Sequence, residues 1–129
     1  MLFAGMSSFT LCAQDLPGYY LTRDPFTKTQ SIVYLYKTKA GSYAGKVFSV
    51  ENDPKNKYLD YLFLWNLQFD SLKKEFVDGH IKYPGIPGTY RTYMRFEPDG
   101  RLRVRGYLGV SALGVTVFWK KLDATNLTY

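Results

Sequence analysis

Between Tyr90 and Leu108 the sequence alternates with a period of two. Tyr90, Met94, Phe96, Leu102, Val104 and Leu108 fall on one parity, and Arg91, Tyr93, Arg95, Glu97, Arg101, Arg103, Arg105 and Tyr107 on the other. Successive side chains of a β-strand point to opposite faces, so this pattern describes a sheet with one oily face and one charged face. At its centre "EPDGR" places Pro98 at the first turn position, Asp99 next, and Gly100 where a positive φ is needed. That is a three-residue hairpin loop with a bulge. The register pairs Glu97 with Arg101, Phe96 with Leu102, Arg95 with Arg103 and Met94 with Val104. A slip of one residue would bury guanidinium groups, so the pairing is strongly specified. A hairpin of this kind needs a core on one side and water on the other.

The rest of the chain repeats the same grammar. Short aromatic and β-branched runs alternate with turn signals, which is the all-β pattern. The runs are "GYYLT" from Gly18, "SIVYLYK" from Ser31, "SYAGKVFSV" from Ser42 and "YLFLWNLQF" from Tyr61. They continue with "FVDGHIKY" from Phe76, "TYRTYMRFE" from Thr89, "RLRVRGYL" from Arg101 and "VTVFWKKL" from Val115. "ENDPKNKYLD", from Glu51, reads as a short helix or an irregular crossover, and "DATNLTY" as a loose tail. Eight antiparallel strands in 129 residues make one domain, either stacked as a sandwich or closed as an up-and-down barrel. Closure removes the edges and leaves room for side chains or one small ligand. A membrane barrel is excluded, since lipid on the arginine face would cost about 2–4 kcal/mol per Arg at the midplane. The expected fold is therefore a water-soluble, eight-stranded antiparallel up-and-down barrel, over residues 15–122, followed by a tail at 123–129.

Composition narrows the function. One cysteine, Cys12, and one histidine, His80, leave no intrachain disulfide, no cysteine metal site, no multi-histidine centre and few catalytic triads. No enzyme and no cofactor are expected. The net charge of +6 favours anionic partners without specifying any. Residues 1–14, "MLFAGMSSFTLCAQ", read as a signal-peptide-like segment: apolar, small, uncharged before Asp15 and too short to span a bilayer. Cleavage after Ala13 or Gln14 would suit it, and the protein would be periplasmic or secreted. A lipid-attachment site at Cys12, or an ordinary N-terminal strand or helix, are the alternatives for a segment with no basic residue.

"GYYLT", "AGKV" at Ala44, "DGHIKYP" at Asp78, "GTY" at Gly88 and above all "LRVRGYLGVSALGVTVFWKKL" from Leu102 resemble the exported bacterial family known as domain of unknown function 2147. The resemblance runs from Leu16 to Leu122 and implies a fold similar to lipocalins and other calycins. Those barrels close their floor with a Trp in Gly-x-Trp on the first strand near an Arg on the last. The matching positions here are Gly18, Tyr20 and Lys121, so Tyr20 and Lys121 are the implied barrel closure. A cysteine pair frequent in the family has no counterpart near Lys37 and Ala44.

Three candidate sites follow. Inward positions expected to bind a small hydrophobic or amphipathic ligand, fatty-acyl or aromatic, are Val33, Leu35, Tyr43, Val47, Leu64, Ile81, Tyr90, Met94, Phe96, Val104, Leu108 and Trp119, with Val117 beside them. Gly45 and Gly106, also inward, favour open space; the alternative is a packed core. Outside, Arg91, Arg95, Arg101, Arg103 and Arg105 form a face that either binds an anionic envelope component or is simply solvated. Asp78 and His80 share a strand face, a weak acid–base or metal pair. Nucleic acid is not an expected partner of an exported protein. The expected state is a monomer or dimer that does not span a membrane.

Overall fold

The computed structural model describes residues 13–109 and 114–129. Eight strands run in chain order: β1 (Gly18–Arg23), β2 (Gln30–Lys37), β3 (Tyr43–Val50), β4 (Leu62–Asp70), β5 (Glu75–Ile81), β6 (Tyr90–Phe96), β7 (Leu102–Tyr107) and β8 (Val115–Leu122). Each pairs antiparallel with the next, and β8 returns to β1, giving a closed barrel. The β6–β7 hairpin adopts the register its alternation dictates, with Met94 opposite Val104 and Arg95 opposite Arg103. Gly100 takes φ 90° in the turn, and the Glu97 amide donates to the Arg101 carbonyl at 2.8 Å. Met94, Leu102 and Val104 are fully buried. No helix among the described residues is long and apolar enough to cross a membrane.

The two ends of the barrel differ. At one, tight turns join β2 to β3, β4 to β5 and β6 to β7. A 3-10 turn, Ala13–Asp15, lies against this end and Leu16 is completely buried there. The Tyr20 hydroxyl donates to the Leu16 carbonyl at 2.7 Å, and the Tyr43 hydroxyl to the Ala13 carbonyl at 3.2 Å. Tyr20 pairs with Lys121 across the β1–β8 seam, and the Lys121 ammonium donates to the Asp15 carbonyl while lying 5.8 Å from the Tyr20 ring centre. This is the floor. In place of the Trp–Arg stack that the resemblance to calycins implies, a phenol hydrogen-bonds the 3-10 turn segment and an ammonium reaches over it. Burial lowers the Lys121 pKa, and Asp15 opposes that shift.

The middle is filled. Leu35, Leu64, Leu67, Phe76, Ile81, Met94, Val104 and Trp119 are all buried in one cluster. Gly45 does not open space: a Cβ there would stand 2.6 Å from a Leu35 methyl and 3.0 Å from the Phe63 ring. The missing side chain is what lets those two neighbours occupy the interior. Gly106 differs: a Cβ there would come no closer than 3.9 Å to the Arg91 carbonyl oxygen and the Tyr83 hydroxyl, so this glycine does leave room for a methyl group. Strict alternation breaks on β4 and β5. Asn66 and Asp78 both adopt left-handed φ, 60° and 64°, and the Asn66 side-chain Nδ2 donates to the Asp78 carbonyl at 3.3 Å. These paired irregularities turn Leu67 and Gly79 inward, where the glycine is required: a Cβ would meet Thr92 Cγ2 at 2.7 Å and Leu67 Cδ1 at 2.8 Å.

Residues 51–60 form successive turns, the irregular crossover of the two alternatives and not the helix. Two expectations need correction. Leu108 is 51% exposed, because β7 ends at Tyr107 and the alternation goes no further. The tail is docked rather than loose: Asp123 accepts from the Thr125 amide and hydroxyl, and the Tyr129 hydroxyl bonds Ser49 Oγ at 2.6 Å. Residues 1–12, including Cys12, lie outside the described residues.

Candidate ligand site at the open end of the barrel

The end opposite the floor carries the longer connections, at residues 24–29, 51–61, 82–89 and 108–114. Beneath the first of these lies a pocket of about 40 Å³. Val33, Val47, Phe63 and Trp119 form its apolar wall, and Thr22, Arg23, Asp24, Ser31, Tyr83 and Pro84 its rim. Against a share of about 30 Å³ per water in the liquid, this is space for one or two waters and not for an acyl chain. The barrel is therefore a filled cup with a shallow seat at its mouth.

The rim is organised by local chemistry. Asp24 closes the β1–β2 loop: its amide donates to the Thr29 carbonyl at 2.9 Å, and its carboxylate accepts from the Phe26 and Thr27 amides at 2.7 and 3.1 Å. Lys28 completes the turn with φ 66°. Phe26 is thereby held over the barrel end, edge-on to Tyr83 and tilted on Tyr90, both at 5.7 Å. Tyr83 and Tyr90 themselves meet at 5.7 Å. Phe26 remains 46% exposed, so the loop carries a large ring that is only half covered.

Among the described residues no partner accepts from the hydroxyl of the half-buried Tyr83. Burial raises its pKa above the ordinary phenol range, with Asp24 and Tyr90 adding to the shift. Burial likewise raises Tyr20, with a smaller contribution from Asp15. Both phenols are raised above an unfolded value of about 10. Their neutral forms thus contribute stability that is complete below pH ~10 and is lost as pH climbs through the folded values. In an alkaline ultraviolet titration, Tyr20 and Tyr83 are expected to ionise only as the barrel unfolds. Tyr83→Phe should remove one late-ionising phenol and flatten the fall in urea midpoint above pH ~10. Ionisation of both groups within the ordinary range, in folded protein, would contradict this.

The expected ligand residues divide by depth. Val33, Val47 and Trp119 reach the mouth pocket. Leu35, Tyr43, Leu64, Ile81, Met94 and Val104 are buried core beneath it. Tyr90 and Phe96, at strand ends, are only partly buried, and Val117 packs against the core from a half-buried position. Sequence reasoning did not reach the rim residues, Thr22 to Asp24, Phe26, Ser31, Tyr83 and Pro84, nor Phe63. Their only signal was turn-forming "RDPFTK" and the Tyr-Pro after β5.

The outer arginines sit among acids. Arg91 faces Asp78 at 3.8 Å, Arg95 faces Glu75 at 3.8 Å and Glu97 at 3.4 Å, and Arg101 pairs with Asp99 at 2.8 Å. Arg101 also lies 4.4 Å from the Phe118 ring centre, and Arg105 donates to the Thr116 hydroxyl at 2.8 Å. The Arg101 amide and side chain hold the Asp99 pKa below its usual value. Arg103 is half-buried opposite Phe118. Four carboxylates thus stand among the five guanidiniums, so the face carries little excess charge for an anionic partner. Asp78 and His80 form no ion pair with one another. Asp78 is turned to Arg91, while His80 stacks on Trp65 at 5.7 Å and 11°. No group of three or more metal-ligating side chains occurs among the described residues.

Comparison with known proteins agrees with this architecture. Residues 18–121 match the bacterial family described as "uncharacterized protein conserved in bacteria (DUF2147)". The chain belongs to that family. Nothing matches among the curated proteins compared with it. A solved structure titled "Protein HP1028 from the human pathogen Helicobacter pylori belongs to the lipocalin family" superposes on this DUF2147 barrel with a TM-score of 0.70. It is 21% identical, over 86% of this chain and 85% of that one. At that identity the likeness carries the fold, a lipocalin-like barrel, and no more.

Proposed function

We propose that this DUF2147 protein binds a small apolar or amphipathic molecule, of the fatty-acyl or aromatic class, at the open end of its barrel. One observation carries the reading: an apolar seat of Trp119, Phe63, Val33 and Val47 lies under a rim where the Tyr83 hydroxyl has no hydrogen-bond partner among the described residues. Apolar burial at about 25 cal/mol per Å² drives entry, and the phenol orients a polar head. Because the seat is small, a ligand longer than a few atoms enters by lifting the Phe26 loop away from Tyr83 and Tyr90. The lipocalin fold supports the reading, since such barrels take ligands through one open end. We further propose that the protein is a binder and not a catalyst, and that it acts after export, on the strength of residues 1–14.

Trp119 sits in the seat, and the only other tryptophan, Trp65, stacks on His80 outside it. In a Trp65→Phe variant, fluorescence therefore reports on the mouth alone. Titration with decanoate and with 1-naphthol is expected to change Trp119 emission saturably at a one-to-one ratio, with the matching adduct in native mass spectrometry. Unsaturable change, or none with both probes, would sink the reading.

A further inference from the structure

The outer face of β1, β2 and β3 carries a strip of aromatic side chains that takes no part in the barrel core. Tyr19 is opposite Tyr34 across one strand pair, and Tyr34 opposite Lys46 across the next. The Tyr19 and Tyr34 rings lie 4.8 Å apart, and Phe48 meets Tyr19 edge-on at 5.3 Å. Tyr34 and Tyr36, two residues apart on β2, are nearly parallel at 18° and 5.9 Å. Phe48 is 38% exposed and Leu59 50%. A solvent-open groove of about 350 Å³ runs between the Tyr19, Tyr34 and Phe48 rings, Leu59 and the ion pair of Lys46 with Asp60 at 3.4 Å, and Tyr36 extends the strip beyond it. Contiguous apolar surface of this sort on a soluble barrel marks a contact site.

We propose that this strip is a second binding site, separate from the mouth, and that its occupant is an uncharged polysaccharide chain. A pyranose ring has an apolar C–H face and a rim of hydroxyls. The strip presents the complement: flat rings to lie against, and polar groups around them. The hydroxyls of Tyr19, Tyr34 and Tyr36 have no hydrogen-bond partner among the described residues. Each is free to donate to and accept from a sugar hydroxyl. Charge decides the class of polymer. On a chain of net charge +6 the one cation in the groove, Lys46, is compensated by Asp60, so nothing there selects an acidic chain. Parallel rings in sequence along a strand match a repeating linear ligand better than a single compact one. A second copy of this chain would have to leave three phenol hydroxyls satisfied across its interface, a demand that an all-carbon patch would not make.

The test uses the full chain labelled with ¹⁵N and two neutral probes, cellohexaose and hexa-N-acetylchitohexaose, with polygalacturonate as the acidic comparison. Saturable shifts confined to β1, β2 and β3 are expected with at least one neutral probe. The Tyr34→Ala/Tyr36→Ala double variant should weaken binding by about tenfold or more, as the loss of two ring contacts implies. Tyr34→Phe/Tyr36→Phe, which keeps the rings and the fold, should lose less. Trp119 fluorescence titrations at the mouth should not change in either variant, so this site and the mouth fail or stand separately. Absence of saturable shifts with both neutral probes overturns the proposal, as does tighter binding of polygalacturonate. So does a concentration-dependent dimer in sedimentation velocity that the double variant abolishes, since the strip would then be a self-association face.

Discussion

Trp119→Ala is expected to lower stability by about 3–5 kcal/mol while improving the uptake of small apolar guests. Trp119 is 2% exposed and spans the barrel's depth, lying 6.4 Å from the Tyr20 ring on the floor and 6.0 Å from Phe63 near the mouth. It also forms part of the wall of the mouth pocket. It is therefore the side chain that turns a hollow barrel into a filled one. Its removal joins the existing 40 Å³ pocket to a new void on the order of 100 Å³, the scale at which apolar cavities stay dry and accept benzene-sized molecules. Urea unfolding should show the loss, with the thermal midpoint falling by roughly 10–20 °C. Benzene or 1-naphthol added in excess should restore part of it, by mass action on the folded state. A loss under 1 kcal/mol would mean the indole is not the plug. A full loss with no recovery on adding guest would mean the void collapses.

The same residue shows how far the sequence could be read. Its inward direction was legible, because Val115, Val117 and Trp119 share one parity of "VTVFWKKL" with the floor lysine, Lys121. Its consequence was not, since whether inward side chains meet across a barrel depends on distances that no alternation pattern contains. The β6–β7 hairpin was legible in full, to the residue pair, because its two faces differ by whole charges and a slip is prohibitive. β4 and β5 were legible as strands, but their left-handed Asn66 and Asp78 were not. Both residue types tolerate that conformation without announcing it. Gly45 misled for a related reason. A glycine facing inward signals that something comes close, and sequence alone does not say whether that is a ligand or, as here, a leucine methyl. The mouth was least visible, since its rim is built from two separate connections whose proximity is set by barrel closure. Asp24, Phe26 and Tyr83 carry no common pattern until β1, β2, β5 and β6 are brought to one end.

That rim sets the second large effect: Phe26→Ala is expected to accelerate both ligand entry and release by about one order of magnitude. Two ring contacts, to Tyr83 and Tyr90, hold the β1–β2 loop against the barrel end. Each such pair contributes about 0.5–1.5 kcal/mol beyond area burial. Every 1.4 kcal/mol is tenfold in an equilibrium, so the open fraction of the loop rises by about that factor or somewhat more. The turn itself survives, because the Asp24–Thr29 backbone bond and the Asp24 carboxylate contacts do not involve the Phe26 ring. Global stability should fall little, the ring being 46% exposed already. Stopped-flow mixing with decanoate, read on Trp119 emission in the Trp65→Phe background, separates the two rates. If the loop is a gate, both rise and the equilibrium constant moves less than either. If Phe26 is part of the binding surface instead, only release accelerates and affinity falls with it. Rates unchanged by the substitution would place the entrance elsewhere, and the ring triangle at the mouth would then be packing alone.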